Sequence, residues 1–343
     1  MLELAREVLG GEDAWVVGGA VRDELLGREL VDLDIAIREP EQAARAYARR
    51  SGGAPFPLSE RHGAWRVALD GGRTVDFTPL PDSVEEDLAT RDFAINAIAR
   101  PLAGGELVDP FGGREDLEAK RLRAVGDSVF DDDPLRLLRA VRLEDELGFR
   151  LDDETERLVR KHGALVTQPA GERIVAELRR LSPGGYRRLD GLGLLEPLGG
   201  SITDRLDRVD SPDYRLVAVF GENLRRFPVS NELRRYARVL LRAERPPDDP
   251  RSIHRFRRAT EPWALDALAF VGSSELSGAV EVARANEPAE PLLRGDELGL
   301  PPGPEIGRLL AEIEEERAAG TIATKEEALD YARRHSGAVR EDG

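Results

Sequence analysis

An α/β head, built on a small mixed sheet with helices, followed by an all-α body and tail, is the fold class that the sequence predicts. Three observations predict it. The β-prone runs, among them Ala64–Leu69 and Arg73–Thr78, fall in the first quarter of the chain and are joined by glycine-rich turns. The stretch Val16–Ile37, VVGGAVRDELLGRELVDLDIAI, reads as strand, glycine turn, short helix, loop and second strand. Beyond Gly148 the apolar residues recur at helical spacing, with turn residues between the segments.

Residues 1–10 read as a short helix leading into the first strand. Gly18 and Gly19 allow a sharp turn and close approach of backbone to a ligand. A helix from about Ala20 to Leu26 then directs its free N–H groups back toward that turn, a disposition that suits an anion. Asp32 and Asp34 follow, separated by Leu33. In a strand, residues i and i+2 share a face, so both carboxylates project together while Leu33 and Ile35 point into a core. Two adjacent carboxylates repel unless a cation lies between them. Hard oxygen ligands beside a phosphate site suit Mg²⁺. Taken alone, each piece is better read as a plain turn or a solvated strand edge. Together and in this order they are the equipment of phosphoryl or nucleotidyl transfer.

Pro40–Arg50 is alanine-rich and opens with acids, which predicts a helix, and Ser51–Pro57 reads as a Gly/Pro loop. Asp70-Gly71-Gly72 predicts a hairpin turn between the two following strands. Asp76 in the second of them is placed to bring a third carboxylate beside Asp32 and Asp34. Ser83 and Glu86 form a capping-box pattern. Gly105–Leu117 is turn chemistry, with Asp109 and Asp116 as hinge or cap residues. A helix is predicted within Asp132–Phe149, with a proline in its first turn and Leu135, Leu138 and Leu147 on its core face. Asp133, Arg136, Arg139 and Arg142 recur every three residues and share one surface of it. Amphipathic helices follow at Asp153–Lys161, Gly171–Leu181 and Leu189–Pro197, then a helical run over Ser211–Arg245 and a helical pair over Glu261–Arg284.

The chain has 343 residues and no cysteine, which excludes disulfides and thiolate metal sites and predicts two or more domains. No apolar run is long enough to span a membrane, and the first fifteen residues lack a basic start followed by an apolar core. A cytoplasmic protein is expected. The formal net charge of −16 opposes nucleic-acid binding as a whole. Its distribution does not, because eleven arginines stand against four acids between Arg225 and Arg258. Lysine occurs only at Lys120, Lys161 and Lys325. The planar fork of arginine suits phosphate and base edges.

GGAVRD followed by DLDIAI resembles the polymerase-β-like nucleotidyltransferases, and in its fuller form the bacterial branch of tRNA CCA-adding enzymes and poly(A) polymerases. Asp87–Ala99, DLATRDFAINAIA, is similar to that family's Arg-Arg-Asp-Phe-Thr-Ile-Asn-Ala motif, with Thr90 and Ala94 as departures. DDPLR, Asp132–Arg136, resembles its Glu-Asp-x-x-Arg motif, with Asp132 in place of the glutamate. AGERIVAELRRL and the tail from Pro291 resemble further family elements. The likeness is specific from about Val16 to Leu181.

The resemblance implies a catalytic head at 1–122, a nucleotide-selecting neck at 123–200 and a tRNA-binding body and tail at 201–343. It implies two-metal chemistry in which Asp32 and Asp34 hold Mg²⁺ and Asp76 helps to orient the attacking hydroxyl. Gly18, Gly19, Arg22 and Arg91 would cradle the triphosphate, and Asn96 would lie near the sugar and metal. Asp133 and Arg136 would select CTP and ATP, because a carboxylate accepts from the amino group of C or A while a guanidinium donates to the ring acceptor. Guanine and uracil reverse both partners and leave them unpaired. Arg139 and Arg142 would neutralise phosphate or brace that pair, with Glu172 and Arg173 bracing the helix. The implied partner is the acceptor arm of tRNA.

The segment FTPLPDS is short where many family members carry a flexible loop linked to switching from CTP to ATP. CC-adding members lack that loop, so CC addition beside a separate A-adding enzyme is a second expectation. Poly(A) addition is a third, and a non-catalytic RNA-binding module a fourth. His62, His162, His254 and His335 are the only histidines, and none precedes an aspartate, so the phosphohydrolase domain of some relatives is not expected.

Overall fold

Alternation decides the first sheet. Leu33 and Ile35 on one strand and Val75 and Phe77 on another are fully buried, while the residues between them are polar. In the computed structural model, which describes residues 1–59 and 63–336, these runs form β1 (Ala14–Val17), β2 (Asp32–Ile37), β3 (Ala54–Ser59), β4 (Ala64–Ala68), β5 (Thr74–Pro79) and β6 (Ala99–Pro101). They make one six-stranded sheet in the order β3-β4-β5-β2-β1-β6. The β2–β5 pair is parallel and the others are antiparallel, so the sheet is mixed. His62 lies outside the described residues.

Helix α1 (Leu2–Leu9) leads into β1, α2 (Gly19–Leu25) follows the Gly-Gly turn, and α3 (Pro40–Ser51) crosses between β2 and the β3–β5 meander. Tyr47 of α3 is buried against Phe77 at 5.9 Å between ring centres, and Arg45 lies 4.9 Å from the Trp65 ring. One sheet face is therefore core, and the other carries the aspartates. The expected loop at Ser51–Pro57 is instead partly strand, because β3 begins at Ala54 and contains Pro55 and Pro57. Proline is tolerated there because β3 is an edge strand, paired on one side only.

Helices α4 (Val84–Ala89), α5 (Gly113–Glu118), α6 (Val129–Asp132), α7 (Arg136–Leu147), α8 (Asp153–His162), α9 (Gly171–Leu178) and α10 (Pro183–Gly191) complete a first compact unit, Met1–Gly199. Ser83 caps α4 by accepting from the Glu86 N–H. Asp109 caps α5 through the N–H groups of Gly113 and Arg114, and buried Asp116 pairs with Arg121 and Arg123. The helix expected over Leu189–Pro197 is displaced: α10 starts at Pro183 behind the Ser182 cap and ends at Gly191, where Gly193 turns with φ +77°. Pro134 also falls outside the first turn of α7, which begins at Arg136, so Asp133 sits at an extended junction between α6 and α7.

The second unit, Gly200–Gly343, is helical: α11 (Pro212–Phe220), α12 (Asn231–Arg242), α13 (Pro250–Thr260), α14 (Ala264–Val271), α15 (Ser277–Ala285), α16 (Pro304–Ala318) and α17 (Lys325–His335). Ser211, Ser230, Asp249 and Thr324 each cap a helix start, which satisfies otherwise orphaned N–H groups. Thr324 and Glu327 form the complete reciprocal box. Among the described residues no helix is long and apolar enough to cross a membrane.

Candidate active site

Sheet register assembles the carboxylates. Asp34 of β2 is opposite Asp76 of β5 on one side and Val17 of β1 on the other, and Asp76 is opposite Arg66 of β4. Asp32 is opposite Thr74, whose hydroxyl donates to Asp32 Oδ1 at 2.7 Å. All three aspartates therefore share the face away from α3. Burial pushes Asp34 up to about 6, against the pull of Arg91, with Asp76 and Asp32 adding to the rise. A cation between Asp32 and Asp34 would relieve that strain. Asp76 meets Arg66 in a two-pronged pair, Nε to Oδ1 at 2.6 Å and Nη2 to Oδ2 at 2.7 Å. Among the described residues no group of three or more acids or histidines converges as a metal cage. Two carboxylates completed by phosphate oxygens and water is an arrangement Mg²⁺ accepts.

Gly18 ends β1 in a left-handed conformation, φ +68°. A Cβ there would lie 3.2 Å from both Arg91 Nη1 and Asp34 Oδ2, so the missing side chain lets the turn, the cation fork and the carboxylate meet. Arg91 is held by Asp87, one helical turn earlier, at 2.7 Å. Arg22 is held by Asp23 at 2.8 and 2.9 Å and donates through Nη1 to Asn96 Oδ1 at 2.8 Å. Asn96 in turn donates to Asp92 Oδ1 at 2.9 Å, and the Phe93 N–H donates to the same oxygen at 2.9 Å. Asp92 Oδ2 takes the Arg139 fork, with Nη2 at 2.6 Å. Burial would raise Asp92, but Arg139 and the hydrogen bonds from Asn96 and Phe93 outweigh it and hold the carboxyl at about 2. One hydrogen-bonded chain thus runs from α2 to α7.

The remaining neck residues are placed individually. Arg136 donates through Nη1 to the Val129 carbonyl at 3.2 Å and through Nη2 to the Thr90 carbonyl at 2.5 Å. Among the described residues no side-chain bond joins it to Asp133. The fork that meets Asp133 belongs to Arg173, at 2.8 Å, and the Leu135 N–H also donates to Asp133. Arg142 is 5% exposed and pairs with Glu177 at 2.6 Å and Glu146 at 3.2 Å, so it braces α7 against α9.

A cleft of about 620 Å³ opens between these groups. Gly18, Gly19, Arg22, Asp32, Asp34, Arg91 and Asn96 line it from the sheet side, and Asp133, Arg136, Arg139 and Arg142 from the helical side. Asp76 does not line it. Seven arginines and six carboxylates surround the space, a polar cavity suited to a polyanion carried with cations. Sequence reasoning missed four supports. Asp87 was legible as an i,i+4 partner of Arg91. Arg66 was legible by counting outward from the Asp70-Gly71-Gly72 turn, whereas Thr74 meets Asp32 through the β2–β5 register, which that turn does not set. Arg180, which lines the cleft and pairs with Glu146, had no local signal.

A carboxylate row on a mixed sheet, beside a Gly-Gly turn and an arginine-lined cleft, defines a polymerase-β-like nucleotidyltransferase head with a helical body. A profile described as "Poly A polymerase head domain" matches residues 14–80 and 66–123. A CC-adding tRNA nucleotidyltransferase of Thermus thermophilus is 34% identical, covering 93% of this chain and 93% of its own length. An A-adding tRNA nucleotidyltransferase of Deinococcus radiodurans is also 34% identical, covering 94% of this chain and 95% of its own. The chain belongs to the tRNA nucleotidyltransferase family. Among solved structures, a CCA-adding enzyme in complex with ATP superposes with a TM-score of 0.80 at 22% identity, covering 97% of this chain and 94% of its own. The Thermotoga maritima CCA-adding enzyme complexed with tRNA gives 0.73 at 22% identity, with 97% and 93% covered. At that identity the superpositions speak for the fold.

Proposed function

We propose that the protein adds CMP and AMP residues to the 3′ end of tRNA by template-independent nucleotidyl transfer, with CTP and ATP as substrates. The observation that carries this reading is the carboxylate row of Asp32 and Asp34 at the mouth of the arginine-lined cleft. Residues 1–122 act as the catalytic head, 123–200 as the nucleotide-selecting neck and 201–343 as the tRNA-binding body and tail.

Asp32 and Asp34 would hold Mg²⁺, with two ions as the expected complement. When bound, the metal supplies charge neutralisation on the phosphates and acidifies the attacking hydroxyl. The Gly18–Gly19 backbone leaves room for the triphosphate, and the forks of Arg22 and Arg91 meet its oxygens. Asn96 orients Arg22. Asp133 accepts from the amino group of cytosine or adenine, and Arg136, aimed by the Thr90 and Val129 carbonyls, donates to the ring acceptor. Arg139 and Arg142 hold α7 in place and add positive charge. Asp76, fixed by Arg66, accepts from the attacking 3′-hydroxyl.

The arginine cluster supports an RNA partner, in part of its length. Arg251, Arg255 and Arg257 are paired with Glu316, Glu315 and Glu287. Among the described residues, Arg225, Arg234, Arg238 and Arg242 make no ion pair and line a groove of about 290 Å³ beside α12. Unpaired, exposed guanidinium groups are the ones available to phosphates. The double variant Arg234→Ala/Arg238→Ala is expected to weaken tRNA binding and to reduce the slope of log affinity against log salt by about 2. Arg251→Ala/Arg255→Ala is expected to change that slope little. Filter binding at several salt concentrations checks both.

CC addition alone is the second reading, favoured by the connection between β5 and α4, which is only Leu80–Ser83. Extension of tRNA transcripts ending before CCA or after CC, and of an unstructured RNA, with Mg²⁺ and CTP, ATP or both, tests these readings. Addition of CC and then A is the expected result. Stopping after CC assigns the partial reaction, with a separate A-adding enzyme as its partner. Adenosine tracts on unstructured RNA would replace the reading by poly(A) addition, and no extension at all by a non-catalytic RNA-binding module.

A further inference from the structure

In-line transfer places the attacking oxygen and the departing pyrophosphate on opposite sides of the reacting phosphorus. The phosphate-suited groups Gly18, Arg22 and Arg91 all lie on the β1 and α2 side of Asp34. The side of Asp34 left open to an acceptor is the one formed by β5, β4 and β3. Register lays out that side residue by residue. Asp76 is opposite Asp34, Arg66 opposite Asp76, and Phe56 of β3 opposite Arg66. Neighbours in register share a face, so Phe56 and Arg66 extend the carboxylate row on the same surface. Strands about 4.8 Å apart put the Phe56 backbone about 14 Å from that of Asp34, within reach of the last nucleotides of an acceptor.

Two features of this surface call for an occupant. Phe56 is 42% exposed although it is a large aromatic, and no packing against the core accounts for it. Arg66 spends Nε and Nη2 on Asp76, which leaves its Nη1 donors for a second partner. A further protein strand is a poor candidate. Pro55 and Pro57 remove two donors from the β3 edge, which blunts it against strand addition.

We propose that the β4–β3 face seats the single-stranded 3′ end of the RNA acceptor, with Phe56 stacked on a terminal base and Arg66 bridging a backbone phosphate and Asp76. The inference rests on the nucleotidyl-transfer reading of the same sheet. A stacking contact suits this position because every base has a π-face. The same seat then serves whichever base ends the RNA at each round of addition. Arg66 acts through Asp76 as a positioning residue and through the phosphate as a binding one.

The test uses the full chain and a tRNA transcript ending before CCA, with 2-aminopurine as its terminal base. Wild-type protein is expected to quench the probe on binding. Phe56→Ala and Phe56→Leu are expected to lose the quench and to raise KM for tRNA about fivefold or more, with KM for CTP unmoved. Phe56→Trp is expected to keep both. Leucine preserves apolar bulk without a ring, so it separates stacking from packing, and unchanged thermal midpoints exclude misfolding. Quenching and tRNA KM that stay at wild-type values in Phe56→Leu would overturn the proposal while wild-type extension still stands. Failure of the wild-type protein to extend any transcript would instead remove the transfer reading beneath it.

Discussion

Asp34→Ala is expected to lower CMP incorporation by about a thousandfold or more while leaving tRNA affinity within about twofold. The carboxylate is the inner member of the row, opposite Asp76 and adjoining the Gly18 turn, so the proposed metal role predicts a large loss when it is removed. Folding is expected to survive. Burial has already raised Asp34 to about 6, so the carboxylate, which still predominates at neutral pH, costs the folded state stability relative to the unfolded chain. Removing that charge therefore takes away no electrostatic stabilisation, and the flanking Leu33 and Ile35 keep the core intact. Single-turnover extension and filter binding on the same preparation separate the two effects. Near-normal incorporation by the variant would sink the metal assignment.

The second large effect is on choice rather than rate. Arg136→Ala is expected to relax the preference for CTP over UTP by about a hundredfold. The wild-type guanidinium is held by two carbonyls, from α6 and from the end of α4, so its remaining donor direction is fixed before a base arrives. A uracil ring N–H facing that donor finds no acceptor. With alanine the penalty disappears. Overall activity will also fall, because the same side chain ties the 90–96 segment to α7. The ratio of kcat/KM values for CTP and UTP is therefore the informative quantity. An unchanged ratio would refute the role of Arg136 and shift attention to the Asp133–Arg173 pair.

Local periodicity explains what could be read early. Asp32 and Asp34 share a face because strand side chains alternate, and the Gly-Gly turn needs no partner to be recognised. Arg136, Arg139 and Arg142 reach one cleft because helical spacing stacks every third residue, whereas Asp133 reaches it from the extended junction before α7. The same rule could have found Asp87 beneath Arg91. Prolines at 55 and 57 pointed to a loop because propensity weighs each residue alone, whereas edge pairing on one side excuses them.

The sequence by itself determined the mixed sheet, the phosphate-suited turn, the paired aspartates and the division into an α/β head and helical remainder. The turn, the aspartates and the division follow from spacing within a few residues, whereas the mixed sheet was implied by the family resemblance of the motifs. Only the tertiary structure decided who partners whom. Arg66 meets Asp76, and Arg173 rather than Arg136 meets Asp133. Glutamates of α16 and of the segment after α15 neutralise part of the arginine cluster, while the arginines of the α12 groove stay free of ion pairs among the described residues. Apart from the Arg66–Asp76 hairpin pair, these pairings join residues 30 to 65 positions apart, and they depend on helix packing that no local pattern encodes.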